Sequence, residues 1–273
     1  MFLYFNGDSH TEGAGLADSY FFDDYPGDVA PGTFILFDRT WISKRDKHLA
    51  NDDTLFFRLR DANLELGYPS QLKKLIGCEV QNGAVGGSGM FSIMVRTIHD
   101  LESLAKEGKI PDKVFIGLTT KERLGIINDE KWRDDNTIWV QTAMPITIDC
   151  LQPKYRKYAM AYWESQSDVQ LLLIFLYQCL SIKYAVKSIT GKDPIFLNTS
   201  ILWENNKTLV ETSNNTMLKE VWQLLNFDNI DNQTSLQHFG FRIGQVADGH
   251  FSEEAHIRYA KYLANNFFKV DIE

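Results

Sequence analysis

Short apolar runs alternate with helical stretches along this chain, and that order constrains the fold more than any other feature. Residues 2–6 (FLYFN), 78–81 (CEVQ), 113–118 (KVFIGL) and 194–198 (PIFLN) read as strands. Met90, Ile93, Met94, Ile98, Leu101, Leu104 and Ala105 repeat at the spacing of one helix face. Residues 69–77 read as a short helix closed by Gly77, and Asp168–Ile189 as a long one stopped by Gly191. A helix near 217–225 and a last one from Ser252 to about Phe268 complete the series, with Ser252 as N-cap and Glu253 and Glu254 matching the helix dipole. Nearly continuous apolar strands separated by helices predict an α/β fold, a parallel sheet covered on both faces.

Two stretches break the pattern. Residues 18–61 carry Asp23-Asp24, Pro26-Gly27, Pro31-Gly32 and Asp52-Asp53 around one strand-like run at 33–37, and residues 124–165 are rich in Asp, Trp and Tyr without clear period. Both are expected to be irregular insertions in a single domain spanning 1–273. The acidic pairs lack a spaced third ligand, so they read as solvated loop carboxylates rather than a metal site.

Charge and cysteine usage exclude further classes. The formal charge is −8 with no long basic run, which argues against nucleic acid as the main partner. The three cysteines, Cys78, Cys150 and Cys179, form no CxxC pair and suggest free thiols in a reducing compartment. The start MFLYFNGD lacks the basic segment of a signal peptide, and the most apolar run, Val169–Leu180, contains two Gln and is short for a membrane span. The expected setting is cytoplasmic or virion-associated, without a membrane.

In a parallel α/β sheet the ligand site lies where the strands end. The turns that fall there are Gly7-Asp8-Ser9-His10, the Asn82–Gly89 stretch (NGAVGGSG) and Thr119-Thr120-Lys121-Glu122-Arg123, while Asp248-Gly249-His250 precedes the last helix. The Gly83–Gly89 run fails the GxGxxG pattern, because Ser92 stands where a third glycine would, and no Walker lysine follows.

Taken in order, these loops resemble the blocks of the SGNH, or GDSL-type, hydrolases. Gly7-Asp8-Ser9 matches the first block, Asn82-Gly-Ala-Val-Gly-Gly87-Ser the second, and Asp248-Gly249-His250 the last. The resemblance implies a three-layer α/β/α sandwich with a mostly parallel, five-stranded, flavodoxin-like sheet. It also implies a Ser9–His250–Asp248 triad, with the backbone N–H groups of Ser9 and Gly87 in the oxyanion hole and no cofactor or metal. In the third block Lys121 aligns with the family's asparagine, so the third donor is either missing or replaced, with Thr119, Thr120, Lys121 and Arg123 as the candidates. The acid stands two residues before the histidine rather than the family's usual three. His10 borders the site as a possible substrate contact, and His256 reads as structural.

A serine hydroxyl becomes a nucleophile at neutral pH only beside a base. His250 would take the Ser9 proton and return it to the leaving alcohol, and Asp248 would hold the imidazole. The expected activity is hydrolysis of small acyl esters, acetyl esters first, on a carbohydrate. The Trp- and Tyr-containing stretch 131–163 fits either a sugar-stacking wall or aromatics that simply bury the insertion. Two alternatives share the scaffold: an O-acyltransferase, and a carbohydrate-binding or structural virion module with weakened activity.

Overall fold

The computed structural model describes residues 1–28, 39–49, 51–127, 140–143, 153–199, 203–230, 236, 245 and 250–271. Among the described residues four strands, against the five that the resemblance implies, form one sheet in the order β2-β1-β3-β6: β1 (Phe2–Asn6), β2 (Glu79–Asn82), β3 (Lys113–Leu118) and β6 (Ile195–Asn198). Every pair in it is parallel, in registers such as Phe5↔Asn82, Asn6↔Ile116 and Leu118↔Asn198. Their carboxyl ends therefore lie along one edge.

The alternation of side chains along β1 and β3 builds two cores. Leu3, Phe5 and Phe115 face α5 (Tyr68–Ile76) and the last helix, α11 (Glu253–Phe268), packing with Tyr68, Leu72, Tyr259 and Leu263. Tyr4, Val114, Ile116 and Leu118 face the opposite way, against α6 (Met90–Lys106), α8 (Asp168–Thr190) and α10 (Thr216–Leu225). Both faces are covered, which makes the α/β/α sandwich. Burial on both faces is why the strands read as apolar runs rather than as alternating ones. A separate antiparallel pair, β4 (Leu124–Ile127) with β5 (Val140–Ala143), lies outside this sheet.

Helix ends follow their local signals. Ser167 and Gln170 form a reciprocal capping box at the start of α8, and Gly191 ends that helix in the left-handed region at φ 74°. α8 is long and apolar enough to cross a membrane, yet it buries Leu172, Phe175, Leu176, Cys179, Ile182 and Val186 in the core. Ser252 caps α11 by accepting the Ala255 N–H.

Residues 18–61 are not irregular throughout. They contain α2 (Asp18–Phe21), α3 (Arg39–Leu49) and most of α4 (Asp53–Leu66). Asp52, one of the loop-like acidic residues, is the N-cap of α4, its Oδ1 accepting the Leu55 N–H at 2.9 Å. Within 124–165 the structure likewise has β4, β5 and α7 (Pro153–Ser165). The strand-like run 33–37 lies outside the described residues.

Thr11 sits between two glycines that make room for it. A Cβ at Gly7 would stand 2.2 Å from Thr11 Oγ1, and one at Gly117 would stand 2.3 Å from it. The hydroxyl also accepts from Tyr68 Oη at 3.2 Å, fastening the turn after β1 to α5.

Candidate active site

The turn after β1 is fixed by Asp8. Its backbone carbonyl accepts from Thr11 and Glu12 N–H at 3.0 Å each, and its Oδ1 accepts the His10 N–H at 3.1 Å. Ser9 is thus the first residue of a single helical turn, α1 (Ser9–Glu12), and is only 5% exposed. The other carboxylate oxygen of Asp8 lies 3.3 Å from Arg123 Nη1, which also donates to the Ser88 carbonyl at 3.0 Å. One guanidinium therefore joins the first block, the glycine-rich loop and the turn after β3.

The glycine-rich loop is tied to α1 twice. Asn82 Nδ2 donates to the Thr11 carbonyl at 3.1 Å while Asn82 Oδ1 accepts the Ala84 N–H at 3.0 Å. The Gly86 N–H donates to Glu12 Oε2. A Cβ on Gly86 would stand 2.7 Å from that oxygen and 3.8 Å from Ser9 Cβ, so this loop passes directly beside the serine. Gly87 follows at φ 76°, with nothing within 4 Å of the site of a Cβ. The reason for glycine at 87 is therefore its left-handed backbone and not crowding, which belongs to Gly86. Since the Gly86 N–H is engaged by Glu12, Gly87 keeps its place as the loop's candidate donor.

Glu12 was not singled out in the sequence, and it organises the site from below. Its carboxylate is buried, 3.5 Å from Arg60 Nε. Arg60 Nη2 donates to the Ala84 carbonyl at 3.4 Å, and Arg96 Nη1 donates to Ser88 Oγ, also at 3.4 Å. Burial pushes the Glu12 carboxyl up from its ordinary range, opposed by Arg60, the Gly86 N–H, His250 and Arg96. Nothing in the GDSHTEG stretch signals this, because the arginines arrive from α4 and α6. Glu12→Ala removes both the Gly86 acceptor and the counter-charge to Arg60, and is expected to cost about 3–5 kcal/mol. Glu12→Gln, which keeps an acceptor for Gly86, is expected to cost clearly less in urea unfolding. Equal losses would show that the Gly86 bond contributes nothing.

His250 is half-buried, immediately before α11. Its ring centroid lies 5.1 Å from that of His10, edge to face, and His10 stacks on Phe251 at 4.9 Å. The structure thus brings His250 against the residue that follows Ser9, and within electrostatic reach of Glu12. Asp248 lies outside the described residues. His256, one turn into α11, is buried and accepts the Tyr68 N–H on Nδ1 at 3.1 Å.

The four candidates for a third oxyanion donor differ in their engagements. Lys121 is paired with Glu122 at 2.5 Å and Asp168 at 3.2 Å. Burial works against its charge, but these two carboxylates outweigh it and raise its pKa. Arg123 holds Asp8 and Ser88, and the Thr120 carbonyl accepts the Arg123 N–H at 3.3 Å to close the turn. Thr119, the residue after β3, is 3% exposed, and among the described residues its hydroxyl has no hydrogen-bond partner.

No family model and no curated protein matches the chain. Its fold is similar to several solved structures at low identity. A family two carbohydrate esterase from Clostridium thermocellum, solved in complex with cellohexaose, is 13% identical at a TM-score of 0.47, over 98% of this chain and 65% of its own. A carbohydrate esterase family 2 enzyme with a carbohydrate-binding domain, from Corynascus thermopiles (Myceliophthora fergusii), is 11% identical at 0.46, over 97% and 64%. A protein described as lipolytic and of the G-D-S-L family, from Desulfitobacterium hafniense DCB-2, is 14% identical at 0.41, over 97% and 98%. The chain spans less than two thirds of the length of these two carbohydrate esterases.

Proposed function

We propose that the chain is a serine esterase of SGNH type that removes small acyl groups, acetyl foremost, from a carbohydrate. The observation that carries this reading is the convergence at one sheet edge. Ser9 stands on the turn after β1, the Gly86–Gly87 loop passes beside it, and His250 lies against its neighbour His10.

In the proposed reaction, Ser9 Oγ attacks the ester carbonyl as His250 takes its proton. The carbonyl oxygen becomes an oxyanion that accepts from the Ser9 and Gly87 N–H groups and from the Thr119 hydroxyl. Collapse of the tetrahedral intermediate breaks the ester C–O bond, and His250 returns the proton to the leaving sugar hydroxyl. Water then adds to the acyl-serine with His250 again as base, releasing carboxylate and free Ser9. Asp248 is assigned to hold the imidazole tautomer. Glu12 supports the arrangement by fixing the Gly86 turn through a backbone hydrogen bond. Arg123 is a positioning residue, its guanidinium holding the first two blocks together.

Hydrolysis of p-nitrophenyl acetate, and release of acetate from acetylated oligosaccharides, test the reading. The third donor is tested separately by Thr119→Val, which keeps the volume and removes the hydroxyl. Loss of a donor lowers kcat by about 10²–10³-fold, and Thr119→Ser is expected to retain most of the rate. A Thr119→Val enzyme with wild-type kcat would remove Thr119 from the oxyanion hole.

A further inference from the structure

A groove of about 370 Å3 lies between the first turn of α6, the 121–123 turn with the start of β4, α7 and α8. Phe91, Leu124, Tyr158, Tyr162, Ile174 and Gln178 line it, together with Lys121 and Arg123. Its walls are fastened to one another. Trp163 Nε1 donates to the Glu122 carbonyl at 3.1 Å, and Ala159 is buried against Leu124, Tyr155 and Trp163. The Lys121–Asp168 pair at 3.2 Å ties the 121–123 turn to the first residue of α8. The groove adjoins the candidate site through Arg123, whose guanidinium reaches Asp8, the residue before Ser9.

The lining is mixed in a particular way. Tyr158 is 55% exposed and Ile174 38%, so aromatic and apolar surface is presented to solvent beside tyrosine hydroxyls and an amide. Both cations in the lining already face carboxylates: Lys121 faces Glu122 and Asp168, and Arg123 faces Asp8. An anionic ligand would have to compete with those carboxylates for the same donors. A long acyl chain would cover the hydroxyl of the exposed Tyr158 and the half-buried Gln178 amide without offering either a hydrogen-bond partner. A neutral sugar avoids both costs, since its C–H faces pack on tyrosine rings while its hydroxyls exchange hydrogen bonds with Gln178 and the tyrosine hydroxyls.

We propose that this groove is a subsite for an uncharged sugar residue of the acylated substrate, an inference that rests on the esterase reading. The direct test is titration of the Ser9→Ala protein, which cannot turn over, with cellohexaose, xylohexaose and oligogalacturonate, followed by NMR or calorimetry. At least one neutral oligosaccharide should bind, and bind more tightly than the acidic one. Adding Tyr158→Ala or Gln178→Ala should weaken that binding about tenfold or more. In the Ser9-containing enzyme, Tyr158→Ala should lower kcat/KM for an acetylated oligosaccharide about tenfold more than kcat/KM for p-nitrophenyl acetate. Absence of binding by either neutral oligosaccharide, tighter binding of oligogalacturonate, or equal losses on the two esters would overturn the subsite. So would a Tyr158→Ala change confined to the ratio of p-nitrophenyl octanoate to acetate hydrolysis, which would mark an acyl-chain groove. If the wild-type chain hydrolyses no ester yet binds a neutral oligosaccharide in a Tyr158-dependent way, the esterase reading fails and the subsite stands.

Discussion

Replacing Ser9 with alanine is expected to lower kcat/KM for p-nitrophenyl acetate by about 10³-fold or more, because no other group in the account forms the acyl intermediate. The folded state should hardly notice. The turn that carries Ser9 is built from the Asp8 carbonyl, the Asp8 carboxylate and the Ser9 backbone carbonyl, which accepts from Gly13 and Ala14 N–H at 2.9 Å each. None of these bonds uses the hydroxyl, so the stability change should stay within about 1 kcal/mol. A large loss of rate with an intact melting curve is the signature of a reacting group. A variant that lost rate and stability together would mark Ser9 as a packing residue instead.

Acid is the second strong lever, and it acts through His256. Burial lowers the pKa of this imidazole from 6.5 to about 3, with the charges of His10 and His250 adding to the effect. Its Nδ1 accepts the Tyr68 N–H, so the folded state requires that nitrogen unprotonated. The unfolded chain takes up its proton first as pH falls, and the folded state does so only near the lower value. The contribution is therefore fully present above pH 6.5 and drains away towards pH 3. About 3 kcal/mol should be lost from this group between pH 7 and pH 4. Urea unfolding across that range measures it against a His256→Gln variant, whose uncharged amide should flatten the slope. An unchanged slope would place the acid sensitivity elsewhere.

The central architecture was legible because the residues that build it are apolar on both faces of the sheet. Leu3, Tyr4 and Phe5 go to alternate sides, but helices cover both, and an unbroken run is what such a strand must look like. The helices of 18–61 were hidden for the opposite reason. α4 buries only Leu59 and Asn63, so no apolar stripe announces it, and its N-cap Asp52 resembles a loop residue until its bond to Leu55 is seen. The candidate site divides in the same way. Its proposed catalytic residues sit in short local blocks, and a glycine turn or a strand-end serine can be read from neighbouring residues alone.

The supporting network is made of distant partners. Arg60 and Arg96 reach the first two blocks from α4 and α6, and Arg123 joins Asp8 to Ser88 from the turn after β3. No spacing rule links such residues, since each comes from a different element and meets the others only after the sheet has formed. Gly86 and Gly87 show the finer limit. Two adjacent glycines look equivalent in the sequence, yet one is needed for room beside the Glu12 carboxylate and the other for a left-handed backbone.

Treatment with a fluorophosphonate ester, followed by digestion and peptide mapping, tests the role of Ser9 most directly, because the reagent bonds only to a serine made nucleophilic by its surroundings. The expected result is one phosphonyl adduct, on Ser9, formed in step with the loss of esterase activity and absent after His250→Asn. An adduct on a different serine, or esterase activity that survives complete labelling, would contradict the account.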